Sequence, residues 1–337
     1  MHLLVKIVAM LGRLIYTSRK ERSLTGEELA ASAGIPAELL RDIEEGAVIP
    51  PIDPKIVLRI ADQFKFRQSQ DFIYFMKCNR ARKFKTYVVG LPKTGTRSLT
   101  GIFGDYCAGH EFNQLDTQQM IIRHTDNLVS YAEYRDFVMK RDAMSRFLEL
   151  DSAHFNRHYM DILAEVYPES KFIFLIRDCF SWVESYINYF TIPDREAIQA
   201  KPEYNGLPFD LPKGDNEAKK ELIRNFDKYI DAPLSHWTTE NLKMIENCRR
   251  LPDNRYLIIR TNEISDRIDK IAGLVGVEAD TLIRDHSHLH KASYHVNILK
   301  RLDPQFLEEK FDTHCSYLMN EFFPGYTLKD FLAKQKQ

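Results

Sequence analysis

Apolar residues fall into two kinds of pattern along the 337-residue chain. Over residues 10–64 they recur at helical spacing. Met10 to Arg22 reads as an amphipathic helix, Glu27–Ser32 as a second, Pro36–Glu45 as a third and Pro54–Phe64 as a fourth. Further on, Tyr87-Val88-Val89, Phe172–Ile176 and Arg255–Arg260 are short runs dominated by apolar residues, as expected of parallel strands covered on both faces. Leu148–Leu150 reads as another short strand. The stretches between them predict helices over 97–106, 116–148, 156–167 and, as one helix or a pair, 219–247, the second with Tyr131, Tyr134, Phe137, Val138 and Phe147 on its core face. This alternation predicts an α/β fold: a central parallel β-sheet flanked by helices, preceded by a small all-α domain.

Local chemistry sharpens the helix boundaries. Thr25-Gly26-Glu27-Glu28 is a capping box and Gly34 a stop. Pro36 suits a first helical position, Gly46 ends that helix, and Pro50, Pro51 and Pro54 stiffen the following turn. The apolar start, His2 to Ile15, is interrupted by Lys6, lacks a small-residue cleavage site and is shorter than the roughly 20 residues of a membrane span. Apolar content of 44% supplies a sizeable core, and a net charge of −1 creates no global field that would demand nucleic acid or a membrane. The five cysteines (Cys78, Cys107, Cys179, Cys248 and Cys315) are scattered and form no C-x-x-C pair. That spacing argues against a disulfide framework and a zinc site, and fits a cytoplasmic location.

The densest chemistry lies in residues 85–99. A strand over Tyr87–Val89 runs through a Gly90–Gly95 turn into a helix beginning at Thr96. Such a turn binds anions, because its backbone N–H groups converge on whatever sits in it. Gly90 and Gly95 enclose four residues, as in a nucleotide-binding P-loop. A P-loop, however, places Lys and Ser/Thr after the second glycine, whereas Thr96-Arg97-Ser98 follow here and Lys93 precedes. The segment Pro92-Lys93-Thr94-Gly95-Thr96 resembles instead the 5′-phosphosulfate loop of sulfotransferases that use 3′-phosphoadenosine 5′-phosphosulfate (PAPS). A second segment has the same resemblance. After the Phe172–Ile176 strand come Arg177 and, eight positions on, Ser185, the pair that in this family grips the nucleotide's 3′-phosphate. The resemblance spans roughly residues 84–325.

The resemblance implies a cytoplasmic sulfotransferase that moves the sulfuryl group of PAPS to a hydroxyl, or an amine, of a small-molecule acceptor such as a natural product, with no metal. Lys93 would face the bridging oxygen. Pro92, Thr94, Gly95, Thr96, Arg97 and Ser98 would surround the 5′ end through backbone N–H groups and the hydroxyls of Thr94, Thr96 and Ser98. Arg177 and Ser185 would hold the 3′-phosphate, joined by Lys291 and Arg301 from a late loop that folds back over the nucleotide. For the general base, relatives place a histidine after the strand preceding the Arg/Ser segment, or a glutamate shortly after the first helix. Here those neighbourhoods hold Asp151 and His154, ranked first, and Glu111 and His110, ranked second. A lysine often present in the first neighbourhood is replaced by Leu150 and Asp151.

Three further stretches shape the expectations. Residues 1–66 resemble the helix-turn-helix domain of phage repressors, through Leu24–Ala30, Ala33-Gly34-Ile35, Ile43–Gly46 and Ile60-Ala61. The helix from Pro36 would read DNA, but it exposes no Gln, Asn or Ser, and residues 1–64 carry eight Lys/Arg against nine Asp/Glu. A docking or dimerisation role, and so a homo-oligomer formed through this domain, fits better than DNA binding. Residues 67–84 read as a basic linker helix whose end, with Lys83 and Lys85, would add positive charge beside the nucleotide. The catalytic domain then spans 85–337. The Pro/Gly-rich stretch 192–214 has the composition of a lid, and His286, His288, His290 and His295 lack the carboxylates or thiols of a metal site. The alternatives are a small-molecule kinase of P-loop type, which would need a lysine after Gly95, and a DNA-binding regulator sensing a nucleotide.

Overall fold

The computed structural model describes residues 4–45, 47, 48, 52–64, 76, 82–145, 148–191, 220, 223–284 and 297–334. Its centre is a parallel sheet of five strands: β1 (Thr86–Gly90), β2 (Ala108–His110), β3 (Leu150–Ser152), β4 (Lys171–Ile176) and β5 (Tyr256–Arg260), in spatial order β2-β3-β1-β4-β5. β1 pairs with β4 over its whole length, from Thr86 opposite Lys171 to Gly90 opposite Leu175.

Alternation along β1 and β4 divides the interior in two. Tyr87, Val89, Phe172, Phe174 and Ile176 enter one core, and Val88, Ile173 and Leu175 enter the other. Both faces must therefore be covered by helices, which is why the strands read as unbroken apolar runs. The helices, in chain order, are α1 (Leu4–Glu21), α2 (Gly26–Ala33), α3 (Ala37–Glu44), α4 (Pro54–Gln63), α5 (Thr96–Ile102), α6 (Gln114–Thr125), α7 (Tyr131–Met144), α8 (Met160–Val166), α9 (Cys179–Thr191), α10 (Asp231–Arg249), α11 (Ile268–Val275), α12 (Pro304–Phe322) and α13 (Leu328–Lys334). Helices α5 and α11 cover the Val88 face, whereas α7 to α10, α12 and α13 cover the Tyr87 face.

The first four helices form a third core from Leu11, Ile15, Leu29, Leu40, Ile43, Val57 and Ile60. It also takes in Cys107, Phe112 and Leu148, which flank β2 and β3, so the helical unit packs at the β2 edge of the sheet. The Thr25/Glu28 box caps α2 with both reciprocal bonds, 2.7 and 3.1 Å. Arg19 crosses to Glu44 through two hydrogen bonds of 2.8 and 2.7 Å, fixing α1 on α3.

Several expectations need correction. The helix expected over 116–148 is two: Asn127 turns left-handed (φ 57) and Ser130 begins α7 with a second capping box to Glu133. The strand expected at Leu148–Leu150 is β3, two residues later, which brings Asp151 into the sheet. Residues 108–110, expected only as a return segment, form the edge strand β2. The helix expected over 97–106 ends at Ile102, and 156–167 divides into a 3-10 turn, His154–Tyr159, and α8. Cys107 is disulfide-bonded, against the expectation of wholly reduced cysteines, whereas Cys179, Cys248 and Cys315 are free. Lys85 does not reach the Gly90–Gly95 turn: it lies before β1, at the opposite end from Gly90, where its ammonium pairs with Asp142 and burial brings its pKa down to about 8. The basic linker (apart from residues 76 and 82–84), the lid stretch and the histidine-rich stretch 286–295 with Lys291 lie outside the described residues. Among the described residues, no helix is long and apolar enough to cross a membrane and no side-chain group is fit to hold a metal ion.

Candidate active site

All five strands are parallel, so their C-terminal ends open on one edge, with the change in chain direction at β1 between β3 and β4. A crevice at such a switch point is where α/β sheets bind ligands. The ends deliver Gly90 and the 91–95 turn, His110 and Glu111, Ser152 to His154, Arg177, and Thr261.

The turn after β1 is built around its glycines. A Cβ on Gly90 would lie 2.6 Å from Thr94 Oγ1 and 2.8 Å from the Leu175 carbonyl, and Gly95 has a φ of 97°. Lys93 holds a left-handed φ of 71° without being glycine, strain of the kind that concentrates at functional turns. The Thr94 hydroxyl, fully buried, donates to the Leu91 carbonyl at 2.7 Å. It therefore shapes the turn from within, its proton directed at the Leu91 carbonyl. Thr96 Oγ1 sits 3.3 Å from His110 Nε2, Ser98 is half-buried, and Arg97 is exposed.

The turn after β4 is tied to the first. Arg177 Nη1 donates to the Lys93 carbonyl at 3.0 Å and its Nε to Ser181 Oγ at 2.8 Å, while its Nη2 has no partner among the described residues. Burial lowers the Arg177 pKa from its ordinary value, Asp178 opposes that shift, and the guanidinium stays cationic. Three residues the sequence reading passed over lock the pair of turns. Trp182 Nε1 donates to the Pro92 carbonyl (2.8 Å), Trp237 Nε1 to the Arg177 carbonyl (3.0 Å), and Thr261 Oγ1 to the carbonyls of Thr94 (2.7 Å) and Ile176 (3.2 Å). Ser185 lies on α9 two turns past Arg177, half-buried and without a hydrogen bond among the described residues. Beside Ser181 opens a cavity of about 400 Å³ lined by Asp178, Arg260, Asn262, Phe323 and Tyr326 among others. Arg301, at the end of a 3-10 turn over Ile298–Arg301, is exposed.

The four acid-base candidates separate into two groups. His154 Nδ1 lies 2.7 Å from Glu111 Oε1, and Glu111 Oε2 lies 3.9 Å from His110 Nδ1. With Thr96 these lie in a row, Thr96–His110–Glu111–His154, from the Gly90–Gly95 turn to the end of β3. Glu111 also has a left-handed backbone, φ 52°. Burial pushes its pKa up, but the hydrogen bond from His154 and the neighbouring His110 and Arg97 more than offset that, so the carboxyl titrates below its ordinary value. Burial lowers both His154 and His110 against the opposing pull of Glu111. At neutral pH the trio is thus a carboxylate between two neutral imidazoles. Arg157 holds the His154 segment in place, donating to the His154 carbonyl (2.7 Å) and to Glu240 on α10 (3.1 Å).

Asp151 belongs elsewhere. Arg141, wholly buried, meets it through two hydrogen bonds of 2.6 and 3.3 Å and donates also to the Phe112 carbonyl and Thr117 Oγ1. A carboxylate neutralised in this way has a structural task, joining α7 to β3. We expect Asp151→Asn to strand the buried guanidinium and to cost about 3–5 kcal/mol of stability in chemical denaturation. A loss below about 1 kcal/mol together with a large fall in rate would make Asp151 part of the chemistry instead.

A family model for a sulfotransferase domain matches residues 85–201, the span that holds Lys93, His110, Glu111, His154, Arg177 and Ser185. No curated protein matches the chain. Among solved structures, the sulfotransferase domain of the Synechococcus olefin synthase is similar at 15% identity, covering 74% of this chain and 92% of its own, with a TM-score of 0.36. The sulfotransferase STF1 of Mycobacterium tuberculosis is similar at 12% identity over 91% of this chain and 98% of its own, TM-score 0.37. The sulfotransferase STF9 of Mycobacterium avium is similar at 10% identity over 88% and 95%, TM-score 0.33.

Proposed function

We propose that this protein transfers the sulfuryl group of PAPS to a hydroxyl, or an amine, of a small-molecule acceptor. The observation that carries the reading is the fusion of two anion-binding turns by the Arg177–Lys93 hydrogen bond, with a carboxylate–histidine chain touching the same turn at Thr96.

Sulfuryl transfer moves sulfur in line between two oxygens, so the protein's part is to position both and to stabilise charge on the departing phosphate. Lys93 and the N–H groups of Gly95, Thr96 and Arg97 receive the 5′ end. The Arg177 Nη2 and the Ser185 hydroxyl, neither hydrogen-bonded among the described residues, receive the 3′-phosphate, and the cavity beside Ser181 has the volume and aromatic wall to hold the purine. Glu111 takes the acceptor's proton as sulfur moves, held by the His154 imidazole at its other oxygen. The kinase alternative lacks the lysine after Gly95, where Thr96 stands.

Removing the Arg177 guanidinium takes away a charge-assisted contact to phosphate and a tie between the turns. Arg177→Ala should weaken binding of adenosine 3′,5′-bisphosphate by about 2–3 kcal/mol, read as a dissociation constant. An unchanged constant would put the 3′-phosphate elsewhere. The reading as a whole is tested by incubating the protein with radiolabelled PAPS and a panel of phenols, alcohols and amines. Label should pass to an acceptor with release of adenosine 3′,5′-bisphosphate. Phosphorylation of the panel from ATP and Mg²⁺, with PAPS inert, would support the kinase instead.

A further inference from the structure

Glu184 lies on α9 one position before Ser185, buried in the interior at 4% exposure. A buried carboxylate needs strong partners, and it finds them in a distant part of the chain. Oε1 accepts from the Ile298 N–H at 2.8 Å and from Asn188 Nδ2 at 3.2 Å, and Oε2 accepts from the Leu299 N–H at 3.1 Å. Ile298 and Leu299 open the 3-10 turn that ends at Arg301, and both side chains are fully buried in the main core. Asn297, just before them, adopts a left-handed φ of 49°. The turn is thus seated by one anionic group on the two N–H donors that a helical turn leaves unsatisfied at its start. Arg301 closes it, exposed and with no ion pair among the described residues.

We infer that Glu184 is a positioning residue for nucleotide binding: it docks the 298–301 turn onto α9 so that Arg301 stands over the 3′-phosphate held by Arg177 and Ser185. This rests on the PAPS reading proposed above. The Ile298 and Leu299 N–H groups and the Asn188 amide solvate the Glu184 carboxylate, which reduces its repulsion of a phosphate at Ser185.

The test uses the full chain and two nucleotides, adenosine 3′,5′-bisphosphate and adenosine 5′-monophosphate, with calorimetric titration as readout. Glu184→Gln keeps the shape but presents an amide N–H₂ to one of the backbone donors. Affinity for the bisphosphate should fall about tenfold while affinity for the monophosphate changes less than twofold, because only the 3′-phosphate reads the turn. Equal losses on both nucleotides, or no loss on either, would overturn the inference. Should that variant fail to fold, Arg301→Ala at an exposed position carries the same expectation: a selective loss for the bisphosphate, with Arg301→Lys recovering part of it. Identical constants for Arg301→Ala and the unaltered protein would again overturn it. Failure of the unaltered protein to bind the bisphosphate at all would remove the PAPS reading and this inference with it, whereas tight binding without the selective loss removes only the inference.

Discussion

Lys93→Ala should lower the rate of sulfuryl transfer by on the order of a hundredfold or more, with the fold intact. The expectation follows from where the charge develops. On the proposed reading, negative charge accumulates on the 5′-phosphate side as the sulfur–oxygen bond to the nucleotide breaks, inside the Gly90–Gly95 turn. An ammonium fixed there contributes more in the transition state than in the ground state, so its loss falls on kcat and not only on KM. Lys93 is held in place by its backbone, through the Arg177 bond to its carbonyl and the neighbouring Trp182 bond to Pro92, and those ties survive truncation of the side chain. The variant's thermal midpoint should therefore stay near that of the unaltered protein. Retained turnover would remove Lys93 from the chemistry; a collapsed fold would show that its side chain supports the turn.

Glu111→Gln should lower kcat by about 10²–10⁴-fold and leave nucleotide affinity within about twofold. Glutamine still accepts the His154 hydrogen bond, so the geometry persists and only basicity is lost. The pH profile gives the sign independently. Glu111 titrates below the ordinary glutamate value of 4.5, so kcat/KM should hold level from pH 8 down to about 6 and fall only as the carboxylate protonates at more acid pH. An acid limb centred at or above pH 6.5 would assign the base to a histidine with no lowered pKa, since burial holds both His110 and His154 below that value.

The parts of this site that were legible in the sequence are those made of contiguous residues. The β1 turn with Lys93 and the Arg177–Ser185 spacing each lie within one strand-turn-helix unit, where residue type and spacing alone define the feature. Helix α2 was legible for the same reason, from its capping box. The boundary at Ser130 carried an equally clear Ser-x-x-Glu signal that the length of the surrounding helical pattern masked.

What escaped is long-range. β2 is three residues long, contains Gly109, and is a strand only because it pairs with β3. The partner of Asp151, Arg141, sits on a different element, so nothing near Asp151 reveals that its charge is already taken. Trp182, Trp237, Thr261 and Glu184 act on backbone carbonyls or N–H groups, and a backbone acceptor or donor leaves no mark on the identity of the residue that supplies it. The order of the base candidates changed for a related reason: Glu111 gains its place from a left-handed turn and from His154, which is 43 positions away.

The proposed function requires one ligand that spans both turns. Calorimetric titration of the unaltered protein with adenosine 3′,5′-bisphosphate, in the absence of divalent metal, tests that most directly. A single saturable site of one ligand per chain is the predicted result. The absence of any binding heat, with ATP and Mg²⁺ bound in its place, would contradict it.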